Sequence, residues 1–256
     1  MTSMVRFILL AHGRCGSSLI MESLAEHPEV RIGGELFHCE EEARRRAFRT
    51  LNGTESVGRH ESRHYRSGTN AAQFLEHEVF HERPGVRAVG FKMFYVHARS
   101  NENEKEAWNY LLTNNDIGVI HLIRTNMLES YISLRIASIT GEWERFKDSS
   151  APRVEAPTLE LEPKVCEAHF NQELAWRQWA RESFRHHPFL EIEYDKDVCT
   201  RFQAVMKKIQ AFLEVAPRPA RQLLEKQSRR SAREAIVNFD ELKNYFQHTL
   251  YEEFFV

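Results

Sequence analysis

Phe7-Ile8-Leu9-Leu10-Ala11-His12-Gly13-Arg14-Cys15-Gly16-Ser17-Ser18-Leu19-Ile20-Met21 is the stretch that decides the fold. Phe7 to Leu10 form an apolar run with no polar alternation, which suits a strand buried on both faces. The run stops at a turn of small residues, and a new apolar spacing begins at Leu19-Ile20-Met21 and Leu24. Strand, tight turn and helix is the reading, with His27-Pro28 closing the helix.

Working outward, Ala88–Phe91, Ile117–Ile123 and Phe189–Ile192 read as further short buried strands. Longer helical stretches lie between them, at about 40–50, 71–82, 103–113, 126–139, 164–186 and 200–214. Strands alternating with helices imply an α/β fold: three layers, a mostly parallel central sheet and helices on both faces. One domain over 1–256 is expected. Two segments break the alternation. Residues 52–70 are rich in Gly, Ser, Arg and His, and 141–163 carries Pro152, Pro157 and Pro163. Segments of that length are lids, binding loops or disorder.

Composition removes several function classes. The 35 Lys and Arg nearly balance 37 Asp and Glu, so no overall field recruits nucleic acid or an anionic membrane. Any anion site must be local. No run approaches the roughly 18 apolar residues of a membrane span, and the start lacks the charged and apolar regions of a signal peptide. Cys15, Cys39, Cys166 and Cys199 are far apart without a Cys-x-x-Cys pair, which suits free thiols in a reducing, cytoplasmic compartment. Monomer and homodimer are both open.

Gly13-Arg14-Cys15-Gly16-Ser17-Ser18, between strand and helix, has the chemistry of an anion cradle. Glycines let the backbone approach closely, and N–H groups converge at a helix start. Ser17 and Ser18 can donate hydroxyls, and Arg14 supplies a planar cation. The same residues would also serve as a plain turn with a serine cap. Gly13 and Gly16 are too close for the Walker pattern and no Lys precedes Ser17, which disfavours an ordinary ATP- or GTP-hydrolysing loop.

This turn resembles the 5′-phosphosulfate loop of sulfotransferases that use 3′-phosphoadenosine 5′-phosphosulfate (PAPS), in the bacterial form with Arg in the basic position. Val119 to Ser133 resembles the family's 3′-phosphate segment, in which Arg124 ends a strand and Ser133 follows in the next helix. Ala137 to Trp143 resembles the bacterial carbohydrate-sulfating, nodulation-type branch, although Thr125 stands where that branch often has a second Arg. Arg31-Ile32-Gly33-Gly34-Glu35-Leu36-Phe37 resembles the segment carrying that branch's glutamate base, and Ile192-Glu193-Tyr194-Asp195 resembles the Tyr-Glu-Asp strand end seen across the family. Lys226 to Arg230 and Ile236 to Leu242 resemble its carboxyl-terminal region. The likeness runs from about residue 5 to 247 and is weakest at 50–85 and 144–163, where acceptor specificity would lie.

The resemblance implies a P-loop-like enzyme that moves a sulfuryl group from PAPS to a hydroxyl of a carbohydrate or other small-molecule acceptor, releasing adenosine 3′,5′-bisphosphate. Gly13, Arg14, Cys15, Gly16, Ser17, Ser18, Arg124, Ser133, Lys226, Arg229 and Arg230 are the implied cofactor-binding residues. Arg14 and the loop amides would stabilise the leaving phosphate, and Glu35 would be the general base. His38 and His12 are rival bases, and Lys92, at a strand end, is a further candidate for the cofactor. Sulfuryl transfer requires no metal, and none is implied. Competing classes are a nucleotide-dependent kinase and a non-catalytic nucleotide-binding protein.

Some motifs point elsewhere. His60-Glu61-Ser62-Arg63-His64 and His77-Glu78-Val79-Phe80-His81 both fit the zinc-protease helix pattern. The first is nearly all polar and the second turns both histidines away from Phe74, Leu75 and Val79, so both read as solvated His/Glu faces. Arg44-Arg45-Arg46 reads as a solvated helix face, and Trp176 and Trp179 as core.

Overall fold

Among the described residues, five parallel strands form the centre: β1 (Val5–Ala11), β2 (Val30–Glu35), β3 (Ala88–Phe94), β4 (Gly118–Ile123) and β5 (Phe189–Glu193). They lie in the order β2-β3-β1-β4-β5. The computed structural model describes residues 4–52, 64–66, 68–226 and 230–255. The helices are α1 (Ser17–Ala25), α2 (Glu41–Asn52), α3 (Ala71–Phe74, continued by a π-turn to Val79), α4 (Glu102–Thr113), α5 (Met127–Thr140), α6 (Pro163–Ser183), α7 (Cys199–Phe212), α8 (Ala232–Ala235) and α9 (Phe239–Tyr245).

The apolar runs are continuous because both faces of the sheet are covered. Ile8 and Leu10 of β1 join Val89, Phe91 and Met93 under α2, α3, α4 and the end of α6. Phe7, Leu9 and Ala11 face the other way, onto α1 and α7. The expected α/β sandwich is what the chain forms, and the sheet is wholly parallel. Since β1 runs on into α1 toward β2 on one side of the sheet and its neighbour β4 leads on through α5 and α6 to β5 on the other, the strand order reverses between them. Ligands of open α/β sheets bind at such a switch point.

Three features depart from the sequence reading. The first is β2, an edge strand hidden in the sequence by Gly33-Gly34. Its register with β3 slips there, so that Gly33 faces Phe91 and Glu35 faces Lys92. Gly34 is the residue passed over, and a Cβ on it would come 3.2 Å from that of Ala47. A bulge of this kind re-aims the next side chain, here Glu35. Second, Arg44 is buried rather than solvated: it donates to the carbonyls of His38 (2.6 Å), Cys39 (2.8 Å) and Tyr65 (3.0 Å). Only Arg45 and Arg46 keep the exposed face.

Third, the 141–163 segment is tied down at both ends. Phe146 bridges Leu224, and Leu159 bridges Ile236. Buried Arg145 pairs with Glu142 (2.9 Å) and Glu225 (3.3 Å). Leu159 and Leu161 join a third apolar cluster formed by α5, α6, α8, α9 and the Glu252–Phe255 turn. Much of 52–70 lies outside the described residues. Among the described residues no helix is long and apolar enough to cross a membrane.

Candidate active site

The β1–α1 turn is held in an unusual backbone shape. Arg14 and Gly16 both adopt positive φ, 69° and 82°. Left-handed residues in such a turn fold successive N–H groups into a concave nest suited to an anion. Gly16, rather than a serine, caps α1, and no side chain takes the cap position's hydrogen bonds. A Cβ on Gly16 would lie 2.2 Å from the Tyr194 ring, so this position must be glycine while Tyr194 stays where it is. Cys15 points into the core, where burial pushes its thiol up to about 12, so it is a packing residue and not a nucleophile.

Side chains from three other elements reach the turn: Ser133 of α5, Lys92 of β3 and Tyr194 just after β5. The Arg14 guanidinium donates from Nε to Ser133 Oγ of α5 (3.0 Å) and from Nη1 to the Trp143 carbonyl (2.5 Å). Ser133 thus sits against the Arg14 guanidinium, at the mouth of the turn. Lys92, on the β3 strand beside β1, is buried and donates from Nζ to Ser18 Oγ (3.0 Å). Its other partner is Glu35 Oε1, at 2.9 Å. A buried lysine thus reaches the turn from the neighbouring strand, in addition to Arg14 within it.

Glu35 sits where the bulge turns it, at the carboxyl edge of β2. Besides Lys92 it faces His97 Nε2 at 3.4 Å and His38 Nε2 at 3.9 Å, both on Oε2. Burial pushes its carboxyl up, but the imidazole of His97 and the charge of Lys92 outweigh that and hold it at about 2. His97 was not singled out from the sequence. Nothing local marks it, because its role comes from the tight turn that follows β3.

Arg124 ends β4 and is buried. Its Nε donates to Asp195 (3.1 Å) and its Nη2 to Glu129 (3.2 Å), and the guanidinium lies 5.3 Å from the centre of the Tyr194 ring. Burial alone would lower the Arg124 pKa, but the Asp195 carboxylate raises it. Thr125, in place of a second Arg, donates to Glu193 (2.5 Å). Of the carboxyl-terminal candidates, Lys226 is exposed and Arg230 donates to the Ala156 carbonyl (2.7 Å), which ties it to the 141–163 loop. Arg229 lies outside the described residues.

His12 is turned into a buried cluster beneath the turn. Its Nδ1 lies 3.4 Å from Glu173 Oε1 and 3.1 Å from the Gly13 carbonyl, so that nitrogen carries the proton. Glu173 also accepts from His169 Nε2 (3.1 Å), Ser130 Oγ (3.3 Å) and Arg177 (2.6 Å). His12, His169 and Glu173 could in ligand terms hold a cation, but hydrogen bonds already account for the carboxylate, and Arg177 supplies the positive charge. Of the two zinc-protease patterns, His77 and His81 are exposed around buried Val79, and His64 is buried against Glu41 at 3.1 Å. Residues 60–63 lie outside the described residues. A separate cavity of about 260 Å³, between Ser23, His27, Gln210 and Arg218, lies at the far end of α1.

No family model matches the chain. It is 27% identical over 258 residues to nodulation protein H of Rhizobium tropici, covering 97% of this chain and 92% of that one. Nodulation protein H of Rhizobium meliloti is 27% identical over 260 residues, covering 97% and 94%. Among solved structures, a sulfotransferase from Alicyclobacillus acidocaldarius aligns over 96% of this chain and 92% of its own, with 15% identity and a TM-score of 0.48.

Proposed function

We propose that this chain is a sulfotransferase that uses PAPS as its donor, a reading supported by its likeness to the two nodulation H proteins. The enzyme moves a sulfuryl group from PAPS to a hydroxyl of a carbohydrate or other small-molecule acceptor. The observation that carries this reading is the convergence of Arg14, Ser18, Lys92 and Glu35 on one nest-shaped turn at the switch point of the sheet. The four unpaired cysteines suit a reducing, cytoplasmic setting.

The donor set fits an anionic nucleotide. The amides of 14–18 and the Arg14 guanidinium would hold the 5′ leaving phosphate, and Arg124 the 3′-phosphate, in exchange for the carboxylates it now touches. PAPS supplies a sulfuryl group on an activated phosphate, displaced in line through a loose transition state. Arg14 and the turn amides then stabilise charge as it develops on the leaving oxygen. Lys92 stands between turn and base, 3.0 Å from Ser18 and 2.9 Å from Glu35, where it would balance charge on the moving group. Glu35 receives the acceptor's proton late, as the new oxygen–sulfur bond forms. His12, whose Nδ1–H is directed at Glu173 and the Gly13 carbonyl, is the weaker candidate for that role.

Ligand-linked melting tests the reading. Adenosine 3′,5′-bisphosphate at about 100 times its Kd should stabilise the fold by about 2.7 kcal/mol, on the order of 5–10 °C in Tm for a chain of this size. AMP, which lacks the 3′-phosphate, should do much less, and Arg124→Ala should erase the difference. Equal shifts from both nucleotides in the unaltered protein would remove the PAPS reading.

A further inference from the structure

His38 and His97 both approach the same oxygen of Glu35, and the backbone fixes how each is protonated. The Phe94 N–H donates to His97 Nδ1 at 3.1 Å, and the Glu40 N–H donates to His38 Nδ1 at 3.0 Å. A nitrogen that accepts a hydrogen bond carries no proton, so in each neutral ring the proton is on Nε2, the atom that faces Glu35. Neither Nε2 is then free to take a proton from an acceptor. Both present a donor to the carboxylate, His97 at 3.4 Å and His38 at 3.9 Å.

The two are not equivalent. His38 is part-exposed on the loop after β2, held there through its carbonyl by Arg44. His97 is buried in a rigid turn. Its own N–H returns to the Phe94 carbonyl (3.0 Å), and its carbonyl accepts from Trp108 Nε1 (2.8 Å). The next residue, Ala98, is buried and holds a left-handed φ of 53°. A non-glycine residue in that region stores strain, and such strain gathers where a side chain must be aimed. The side chain aimed here is His97. At 3.4 Å its contact with Glu35 is long for a hydrogen bond.

We infer that His97 is a positioning residue: the turn Phe94–Ala98 locks its Nε2–H onto Glu35 and so holds the carboxylate beside Lys92, in the orientation from which it receives the acceptor's proton. This rests on the reading of Glu35 as the base. The titratable groups facing Glu35 are Lys92 from β3, His97 from the turn after it and His38 from the loop after β2, while Glu22 of α1 feels the charge of Lys92. Of these, His97 alone combines burial, a fixed tautomer and a strained turn.

The test compares His97→Leu, which removes the donor, with His97→Gln, which keeps an N–H at the end of a similar reach. Nitrogen-15 imidazole spectra of the unliganded protein should show His97 as the Nε2–H tautomer. In His97→Leu the midpoint of the Glu35 carboxyl titration, read by carbon-13 NMR, should rise by at least about one unit, as expected when one donor is lost. With an acceptor in hand, kcat should fall about tenfold, because the loss of orientation outweighs the gain in basicity, with acceptor KM little changed. His97→Gln should recover most of both losses. The melting shift with adenosine 3′,5′-bisphosphate should be unaltered in both variants, which separates the effect from unfolding. An Nδ1–H tautomer, or a His97→Leu protein with the titration and kcat of the unaltered one, would overturn the inference. If Glu35→Gln is slow while His97→Leu is not, His97 alone is wrong; if Glu35→Gln keeps full kcat, the base assignment fails, whatever the spectra show.

Discussion

Replacing Glu173 by Gln should destabilise the fold more than any single surface change, and the size follows from its surroundings. Glu173 is 1% exposed and Arg177, one helical turn on, is 7% exposed. Their ion pair spans 2.6 Å, and Arg177 also donates to the Arg124 carbonyl at 2.6 Å. Burial pushes the Glu173 carboxyl up, but the hydrogen bond from His169 and the charges of His12 and Arg177 keep it below the ordinary carboxylate range. Glutamine keeps the shape and one acceptor but leaves Arg177 buried without its counter-charge. Breaking a buried pair in this way costs about 3–5 kcal/mol, and the retained acceptor argues for the lower end.

Urea unfolding followed by tryptophan fluorescence would read that loss, with a Tm lower by roughly 6–12 °C for about 3 kcal/mol. The pH dependence adds a second check. A carboxyl whose folded pKa is depressed stabilises the fold above its unfolded value, and that stabilisation is lost as pH falls through the folded value. The gap between the unaltered protein and Glu173→Gln should therefore be widest near neutral pH and close on acidification below about 4.3. Removing both charges, with Arg177→Met in the same chain, should restore part of the stability. A Glu173→Gln protein within about 1 kcal/mol of the original would refute the argument that this pair is a buried keystone under the turn.

Two other outcomes follow from the site. Gly16→Ala should cost about 1–3 kcal/mol, because its φ is 82° and the new Cβ meets the Tyr194 ring at 2.2 Å. Tyr194→Leu in the same chain should relieve the steric part, and urea unfolding of the single and double variants measures it. Glu35→Gln should lower kcat by roughly 10²–10⁴, the usual span of general base catalysis, while the adenosine 3′,5′-bisphosphate melting shift stays as it was. A near-normal kcat would disprove the base assignment.

The parallel sheet was legible because Phe7–Leu10, Ile117–Ile123 and their like carry an apolar pattern that only a doubly covered strand requires. The turn at 13–18 was legible for a similar reason, since its small residues part an apolar strand from an apolar helix. β2 was not, because Gly33-Gly34 reads as a loop until the pairing with β3 and the packing of Ala47 are known. Arg44 looked like its neighbours Arg45 and Arg46, and only the fold supplies the three carbonyls that bury it. Glu173, Arg177 and His97 sit in helical or turn sequence with no motif around them. The Glu173–Arg177 pair is itself a local i,i+4 spacing, but the contacts that give these residues their place are distant: 53 residues from Arg177 to the Arg124 carbonyl, and 11 and 62 from His97 to Trp108 and Glu35.

On the function proposed above, a nearly neutral chain that takes up a polyanion must keep its cations stable when the ligand is absent. Here each one has a partner: Arg14 rests on Ser133 and the Trp143 carbonyl, Arg124 on Asp195 and Glu129, and Lys92 on Glu35 and Ser18. Binding is then an exchange of partners, and each exchange returns a carboxylate or carbonyl to other company. For Glu35 the exchange has a chemical consequence. Held at about 2 by His97 and Lys92, it is a weak base, well below the range where proton transfer is most effective. A sulfuryl oxygen that drew the Lys92 ammonium onto itself would remove part of that restraint and leave His97 as the main donor to the carboxylate. Glu35 would then become more basic only once the donor is in place, so the same lysine that recognises the group to be transferred would also release the base that completes the transfer.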